Sequence, residues 1–320
     1  MRYKIFTTTI ALVLFFALSV AAQNKPKIKT NRTNSNGTEM SIIVTAVPHG
    51  DKERALADKL RPADFAVYEN KTRQRIISVK PASEAPTSIA VVIQDNLNWR
   101  VNSEIKELKK FIENLPDATR VMTAYLAVGG AIVTQELTTD RKQASETLRI
   151  VRGGSFSPGF SPFDGIADVA KHFDGAAPGR RIMIVISDGF DFSRGFAGAS
   201  PFLSIELDRA IRECQRRGIA VYTIYAPGED RRRMGRFEFN YGQGSLIRLA
   251  DETGGESYFT SFDFANFRPY LDEFTETAAR QWLITYKTST IGKGFRTIKV
   301  TTDFDVHLHH LAGYFPKNAK

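Results

Sequence analysis

Apolar and polar positions change rhythm twice along the chain. Ser41-Ile-Ile-Val-Thr-Ala-Val is β-rich, and Asp64-Phe-Ala-Val-Tyr and Arg75-Ile-Ile-Ser-Val alternate at period two, which predicts strands. Asn70-Lys71 falls between them where a hairpin turn belongs. After Pro86 the pattern becomes strand, helix, strand. Ile89-Ala-Val-Val-Ile is a continuous apolar run, the signature of a strand buried on both faces. Ile105, Leu108, Phe111, Ile112 and Leu115 then recur at helical spacing. Val121 to Val128 and Ala131 to Leu137 read as strands joined by a tight hairpin at Gly129-Gly130. Helices are predicted over 143–151, 163–173, 201–217, 245–252 and 267–280, with Gly218 as the C-cap of the third. Ile182-Met-Ile-Val-Ile-Ser and Ile219-Ala-Val-Tyr-Thr-Ile-Tyr are further buried strands. Beyond residue 281 the rhythm returns to β, in Trp282–Tyr286, Phe295–Thr301 and Val306–Leu311.

Repeated strand–helix units with buried strands imply an α/β fold with a doubly wound, mostly parallel sheet. Neither β flank has enough strands to bury a face alone. The expectation is therefore one small β-sandwich made from 39–84 and 281–316, with the α/β domain, 86–280, inserted between its halves.

The amino terminus adds a processing signal. Arg2 and Lys4 precede an uncharged apolar run from Thr9 to Ala22, and Val20 and Ala22 suit a cleavage site. About 14 residues is short for a membrane span, which takes roughly 20. Residues 1–22 thus read as a signal peptide and 23–38, polar throughout, as a disordered lead-in. The product is expected to be exported, periplasmic or secreted, with no transmembrane segment after cleavage. Losing Arg2 and Lys4 takes the net charge from +9 to +7, a modest excess that argues for no nucleic-acid partner in that compartment. The single cysteine, Cys214, excludes an intrachain disulfide and a thiolate metal cluster, and its helical neighbours place it in a core.

Ligands of open parallel sheets bind beyond the carboxyl ends of the strands, where the winding reverses. Two acids follow apolar runs directly: Asp95 and Asp188. A carboxylate pair at neighbouring strand ends suits a hard divalent cation such as Mg²⁺, and strand-terminal aspartates also simply begin turns.

Several stretches together resemble a known family. Leu60-Arg-Pro-Ala-Asp-Phe-Ala-Val-Tyr-Glu, Gln74-Arg-Ile-Ile-Ser, the strand to Asp95, Ile184-Val-Ile-Ser-Asp-Gly-Phe-Asp, Arg296-Thr-Ile-Lys-Val and Ala312-Gly-Tyr-Phe occur in the order seen in secreted von Willebrand factor A-related proteins described from acidobacteria. The likeness spans roughly 40–316. It implies a von Willebrand factor A-like domain and, by analogy, a metal-ion-dependent adhesion site with Asp-x-Ser-x-Ser in a first loop, Thr in a second and Asp in a third. The acids map to Asp95 and Asp188. The serine positions are Leu97 and Trp99, which offer no oxygen, and the threonine position is Phe160. Asn98 and Ser161 are each displaced by one residue. The resemblance thus implies a degenerate site, Asp95, Asn98, Ser161 and Asp188, holding Mg²⁺ weakly or not at all.

The same mapping gathers Leu97, Trp99, Phe160, Phe163, Phe190 and Phe192 at the rim, either as a contact surface or as a plug folded into the metal position. Arg231-Arg232-Arg233 with Arg236 offers an anion-binding or merely solvated loop, and Asp303, Asp305, His307 and His309 share a face if they continue one strand. No nucleophile elbow, zinc-binding His-Glu-x-x-His or phosphate loop is present. The reading is a non-catalytic binding or adhesion module for a protein or an extracellular, surface polymer. The alternatives are an Mg²⁺-dependent adhesion domain with a relaxed site and, last, a hydrolase of unknown type.

Overall fold

The computed structural model describes residues 38–48, 50–154, 159–228, 236–259, 266–289 and 292–316. The predicted signal peptide, its lead-in to residue 37, His49 and Arg231–Arg233 lie outside these residues. The amino-terminal flank forms β1 (Glu39–Val47), α1 (Asp51–Ala57), β2 (Phe65–Glu69), β3 (Thr72–Arg73) and β4 (Arg75–Pro81). Asn70 and Lys71 take φ of 48° and 66°, the two positive values that a two-residue hairpin between β2 and β3 requires.

The α/β stretch follows as β5 (Thr87–Gln94), α2 (Ile105–Glu113), β6 (Arg120–Ala127), β7 (Gly130–Thr138), α3 (Arg141–Glu146), α4 (Pro162–His172) and β8 (Arg180–Ser187). It continues with α5 (Gly195–Gly198), α6 (Ile205–Arg217), β9 (Ile219–Tyr225), α7 (Arg236–Thr253), β10 (Ser257–Phe259) and α8 (Arg268–Ala279). The six strands lie in the order β10-β9-β8-β5-β6-β7, all parallel except the edge strand β7. All eight residues of β5 are buried. Its alternate side chains feed two cores. Ile89, Val91 and Ile93 pack toward α2 and α8, while Ala90 and Val92 pack toward α4 and α6. Burial on both faces is why its sequence is an uninterrupted apolar run.

The carboxyl flank contributes β11 (Gln281–Lys287), β12 (Arg296–Thr302), β13 (His307–His310) and β14 (Gly313–Tyr314). Strands from both flanks interleave as β13-β1-β11-β4 and β14-β12-β2-β3. Ile42, Val44, Phe65, Val67, Ile284 and Val300 share the core between these two four-stranded sheets. On β1 and β11 the alternate residues Ile43 and Leu283 point the other way, into the core of the parallel sheet. The fold class is therefore a doubly wound α/β sheet inserted in a small sandwich, and the described residues form one compact unit.

Three local expectations are corrected. The helix expected over 143–151 ends at Glu146. The helix expected from 201 starts at Ile205, where Ser204 Oγ accepts the Leu207 amide as N-cap. Asp303 and Asp305 lie in a bend before β13, so they share no strand face with His307 and His309.

Candidate functional site

Winding proceeds from β5 to β6 and β7 on one side, then returns to β8, β9 and β10 on the other. The switch point lies between β5 and β8, which run parallel and in register up to Ile93 opposite Ile186. Asp95 and Asp188 leave these neighbouring strands. Gln94 ties the two ends together: its Oε1 accepts from Ser187 Oγ at 2.5 Å and from the Asp188 amide at 3.2 Å, and its Nε2 donates to Asn96 Oδ1 at 2.8 Å.

Asp95 is buried, and its carboxylate is met by a guanidinium. Arg149 Nη1 and Nη2 donate to Oδ1 and Oδ2 at 2.7 and 2.8 Å. The Arg152 amide donates to Oδ1 at 3.1 Å, and Arg152 Nε lies 3.6 Å from Oδ2. Burial alone raises the Asp95 carboxyl, but the Arg149 fork, the Arg152 amide and both positive charges outweigh it and hold the group below its ordinary range. Arg149 is itself fixed by Tyr125. The tyrosine Oη accepts the Arg149 amide at 2.7 Å and donates to the Arg149 carbonyl at 2.6 Å, and the guanidinium carbon lies 3.9 Å from the ring centroid. Further along, Asn102 Oδ1 takes the Val151 amide and the Asp95 carbonyl takes the Gly153 amide. These partners replace helical hydrogen bonds, which is why α3 stops short of Arg149.

Asp188 has the opposite environment. Its Oδ1 accepts the Phe190 amide at 3.0 Å, and its Oδ2 is buried without a hydrogen-bond partner among the described residues. Burial pushes the carboxyl up to about 6, against the pull of the Phe190 amide and the Gln94 side chain. Helix α7 closes over it. A Cβ on Gly242 would come within 2.1 Å of the Asp188 carbonyl oxygen, which explains a glycine in the middle of an 18-residue helix.

The remaining predicted ligands serve as caps. Asn98 Oδ1 accepts the Arg100 amide at 3.1 Å to begin a 3₁₀ turn, and Ser161 Oγ accepts the Phe163 amide at 3.3 Å to begin α4.

Of the six predicted rim residues, Leu97, Phe160, Phe163 and Phe190 are buried, which corrects their assignment to an exposed surface. Leu97 turns inward because its loop bridges to Gly228, with the Asn98 amide on the Pro227 carbonyl. Phe163 lies in the first turn of α4 and packs under the sheet. Phe190 stacks against Phe192, which is half-buried, at 6.1 Å between centroids. Trp99 is 63% exposed.

A different apolar stretch is exposed at the same end of the sheet: Phe196, Ile205, Leu203 at 66% and Phe202 at 84%. It spans the β8–α6 connection and the first residue of α6. Asp191 pins that connection, with Oδ1 accepting from the Ser193 amide and hydroxyl and Oδ2 accepting from Ser204 Oγ at 2.6 Å. Reading 201–217 as one helix hid this stretch. Ser204 ahead of Glu206 and Asp208 was the available signal for a later helix start.

No protein-family model matches the sequence, and no curated protein matches it. Solved structures similar to it include the aerotolerance-related membrane protein from Bacteroides fragilis, at 15% identity and TM-score 0.40, over 60% of this chain and 98% of that one. Proximal thread matrix protein 1 from the mussel byssus, with a zinc-occupied metal-ion-dependent adhesion motif, is 14% identical with TM-score 0.45, over 66% of this chain and 50% of that one. The manganese-loaded TRAP protein from Plasmodium vivax is 11% identical with TM-score 0.42, over 80% and 100%. The α/β half is a doubly wound, mostly parallel sheet closed by one antiparallel edge strand. Its own strand order, with two acids at the switch point, is what establishes the architecture.

The residues present do not fit the divalent ion that a von Willebrand factor A-like site implies. Both Asp95 oxygens are engaged by arginine, Leu97 is buried carbon, and the Asn98 and Ser161 oxygens are occupied as caps. Mg²⁺ requires near-octahedral oxygen ligation and gives up its waters reluctantly. Among the described residues no three His, Cys, Asp or Glu side chains are grouped to hold a metal, at the strand ends or at His307 and His309. Cys214 is fully buried and its thiol is pushed up to about 12, which makes it an inert core residue. No helix among the described residues is long and apolar enough to cross a membrane.

Proposed function

We propose that the chain is an exported, non-catalytic binding module whose α/β domain, 86–280, is carried on the sandwich of 39–84 and 281–316. It takes a protein or surface polymer on the loops at the carboxyl ends of the parallel strands. The observation that carries this reading is the exposed Phe202-Leu203 pair on a connection pinned at Asp191. Large apolar side chains held outward gain about 25 cal/mol for each Å² that a partner removes from water. Trp99, on the neighbouring β5–α2 connection, extends the same end. The non-catalytic reading is supported by the state of the two acids. Asp95 is neutralised by Arg149, and Asp188 is buried beneath α7, so neither faces a substrate as a free base. An Mg²⁺-dependent adhesion reading loses support for the reason that Asp95 already holds a cation.

The test is binding of the labelled mature chain to cell-envelope fractions in chelator, beside a Phe202→Ser, Leu203→Ser double variant. Saturable, chelator-resistant binding that the double variant loses while keeping its melting temperature is the expected result. Absence of saturable binding, or binding indifferent to both substitutions, overturns the assignment of this surface.

A further inference from the structure

We propose that the Arg149 guanidinium is the resident cation of the strand-end site, holding at Asp95 the place that a divalent ion takes in metal-dependent domains of this fold and keeping such ions out. This deepens the binding-module reading by making it independent of metal, and it stands or falls on the site alone.

Three observations carry it. Arg149 covers both carboxylate oxygens with a two-pronged fork, at 2.7 and 2.8 Å, and the Arg152 amide adds a third donor, so each Asp95 oxygen is satisfied. The arginine is also built in. Its amide and carbonyl both bond the Tyr125 hydroxyl, its guanidinium stacks on that ring, and Nη1 donates to the Ile150 carbonyl at 2.9 Å. A casual surface pair has no such seat. Finally, no cation pairs with the second acid among the described residues. Asp188 stands at the adjacent strand end with one oxygen buried and unbonded among the described residues. Removing Arg149 therefore uncovers the Asp95 carboxylate beside a strand end that carries a second acid, and one or two carboxylates are what a hard divalent ion takes from a protein.

The experiment is Mn²⁺ titration of the full chain, followed by the electron paramagnetic resonance signal of the free ion and by thermal melts. Wild type, Arg149→Gln, Arg149→Ala and the double variant Asp95→Asn, Arg149→Gln are compared. Glutamine keeps a neutral donor beside Asp95, so its variant folds even where alanine leaves the carboxylate too exposed to its own charge. Wild type is expected to take up no Mn²⁺ saturably at millimolar concentrations. Arg149→Gln gains a site at least about ten-fold tighter than any wild-type uptake, with a raised melting temperature, and the double variant loses it. Saturable Mn²⁺ uptake by wild type that the double variant lacks overturns the proposal, as does failure of both Arg149 variants to gain Mn²⁺. Wild type also decides the matter alone: paramagnetic broadening centred on the Asp95 and Gly153 amides overturns it. The readout involves no partner, so a failed envelope-binding experiment and a failed metal experiment are distinguishable.

Discussion

Replacing Asp188 by Asn turns the burial of that carboxyl into a measurable free energy. Asp188 is 5% exposed, and burial lifts it from 3.8 to about 6. In the unfolded chain a carboxyl of this kind titrates near 3.9, about two units lower. The folded state thus holds this proton more tightly. The stabilising contribution is complete below the unfolded value and is lost as pH rises through the folded one. At ~1.4 kcal/mol per unit, charging the buried group costs about 3 kcal/mol. Asparagine carries no charge, so the stability of Asp188→Asn relative to wild type should grow by about 2.4 kcal/mol between pH ~4, where the unfolded carboxyl is already half ionised, and ~7.5. A constant offset of ~1–3 kcal/mol runs against the variant, because its Nδ2 needs an acceptor where Oδ2 has no partner. That offset drops out of the pH dependence, as does the titration of every other group. The assay is urea unfolding followed by tryptophan fluorescence across that pH range, with a common m value. A difference that stays flat refutes an uncompensated buried carboxylate. A difference that shrinks as pH rises means that a cation pairs with Asp188 in the fold.

Two further perturbations test neighbouring assignments. Ser161→Ala should lower stability by about 0.5–1 kcal/mol through the lost α4 cap and leave metal behaviour unchanged; a larger effect in metal-supplemented buffer alone would make the serine a ligand. His310 Nε2 accepts the Val300 amide at 3.1 Å, and burial lowers its pKa, so the fold holds it neutral. Its share of stability is present above about pH 6.5 and lost as pH falls below that value, and the protection of the Val300 amide, its exchange rate taken relative to the intrinsic rate at each pH, should fall on acidification in wild type only, not in His310→Gln. Protection at Val300 that ignores pH in this range contradicts the assignment.

The parallel sheet was legible because burial on two faces leaves an unmistakable apolar run, as in 89–93, and because a turn such as Asn70-Lys71 is set by its own backbone. The strand-end acids were legible for the same reason, being the first charged residues after such runs. Side-chain direction in the loops was not. Leu97 and Trp99 are two positions apart, yet one lies at 0% exposure and the other at 63%, because a bridge to Gly228 turns the first inward. Arg149 was hidden more deeply. It meets Asp95 across 54 residues of sequence, and local periodicity assigned it to a helix that Tyr125 in fact terminates. Long-range ion pairs leave no local pattern, whereas caps such as Ser204 do.

The pairing of β4 with β11 sets how the molecule responds to pulling. Pro81, the last residue of β4, lies opposite Trp282, the second residue of β11. The entire excursion between them departs and returns at adjacent points. Tension between the two flanks therefore runs through β1 into β11 and β13 across their hydrogen-bonded ladders, and the excursion hangs from that path as an unloaded loop. A molecule anchored by its flanks and dragged by flow strains its sandwich first, and the surface around Phe202 and Leu203 keeps its shape until those ladders shear.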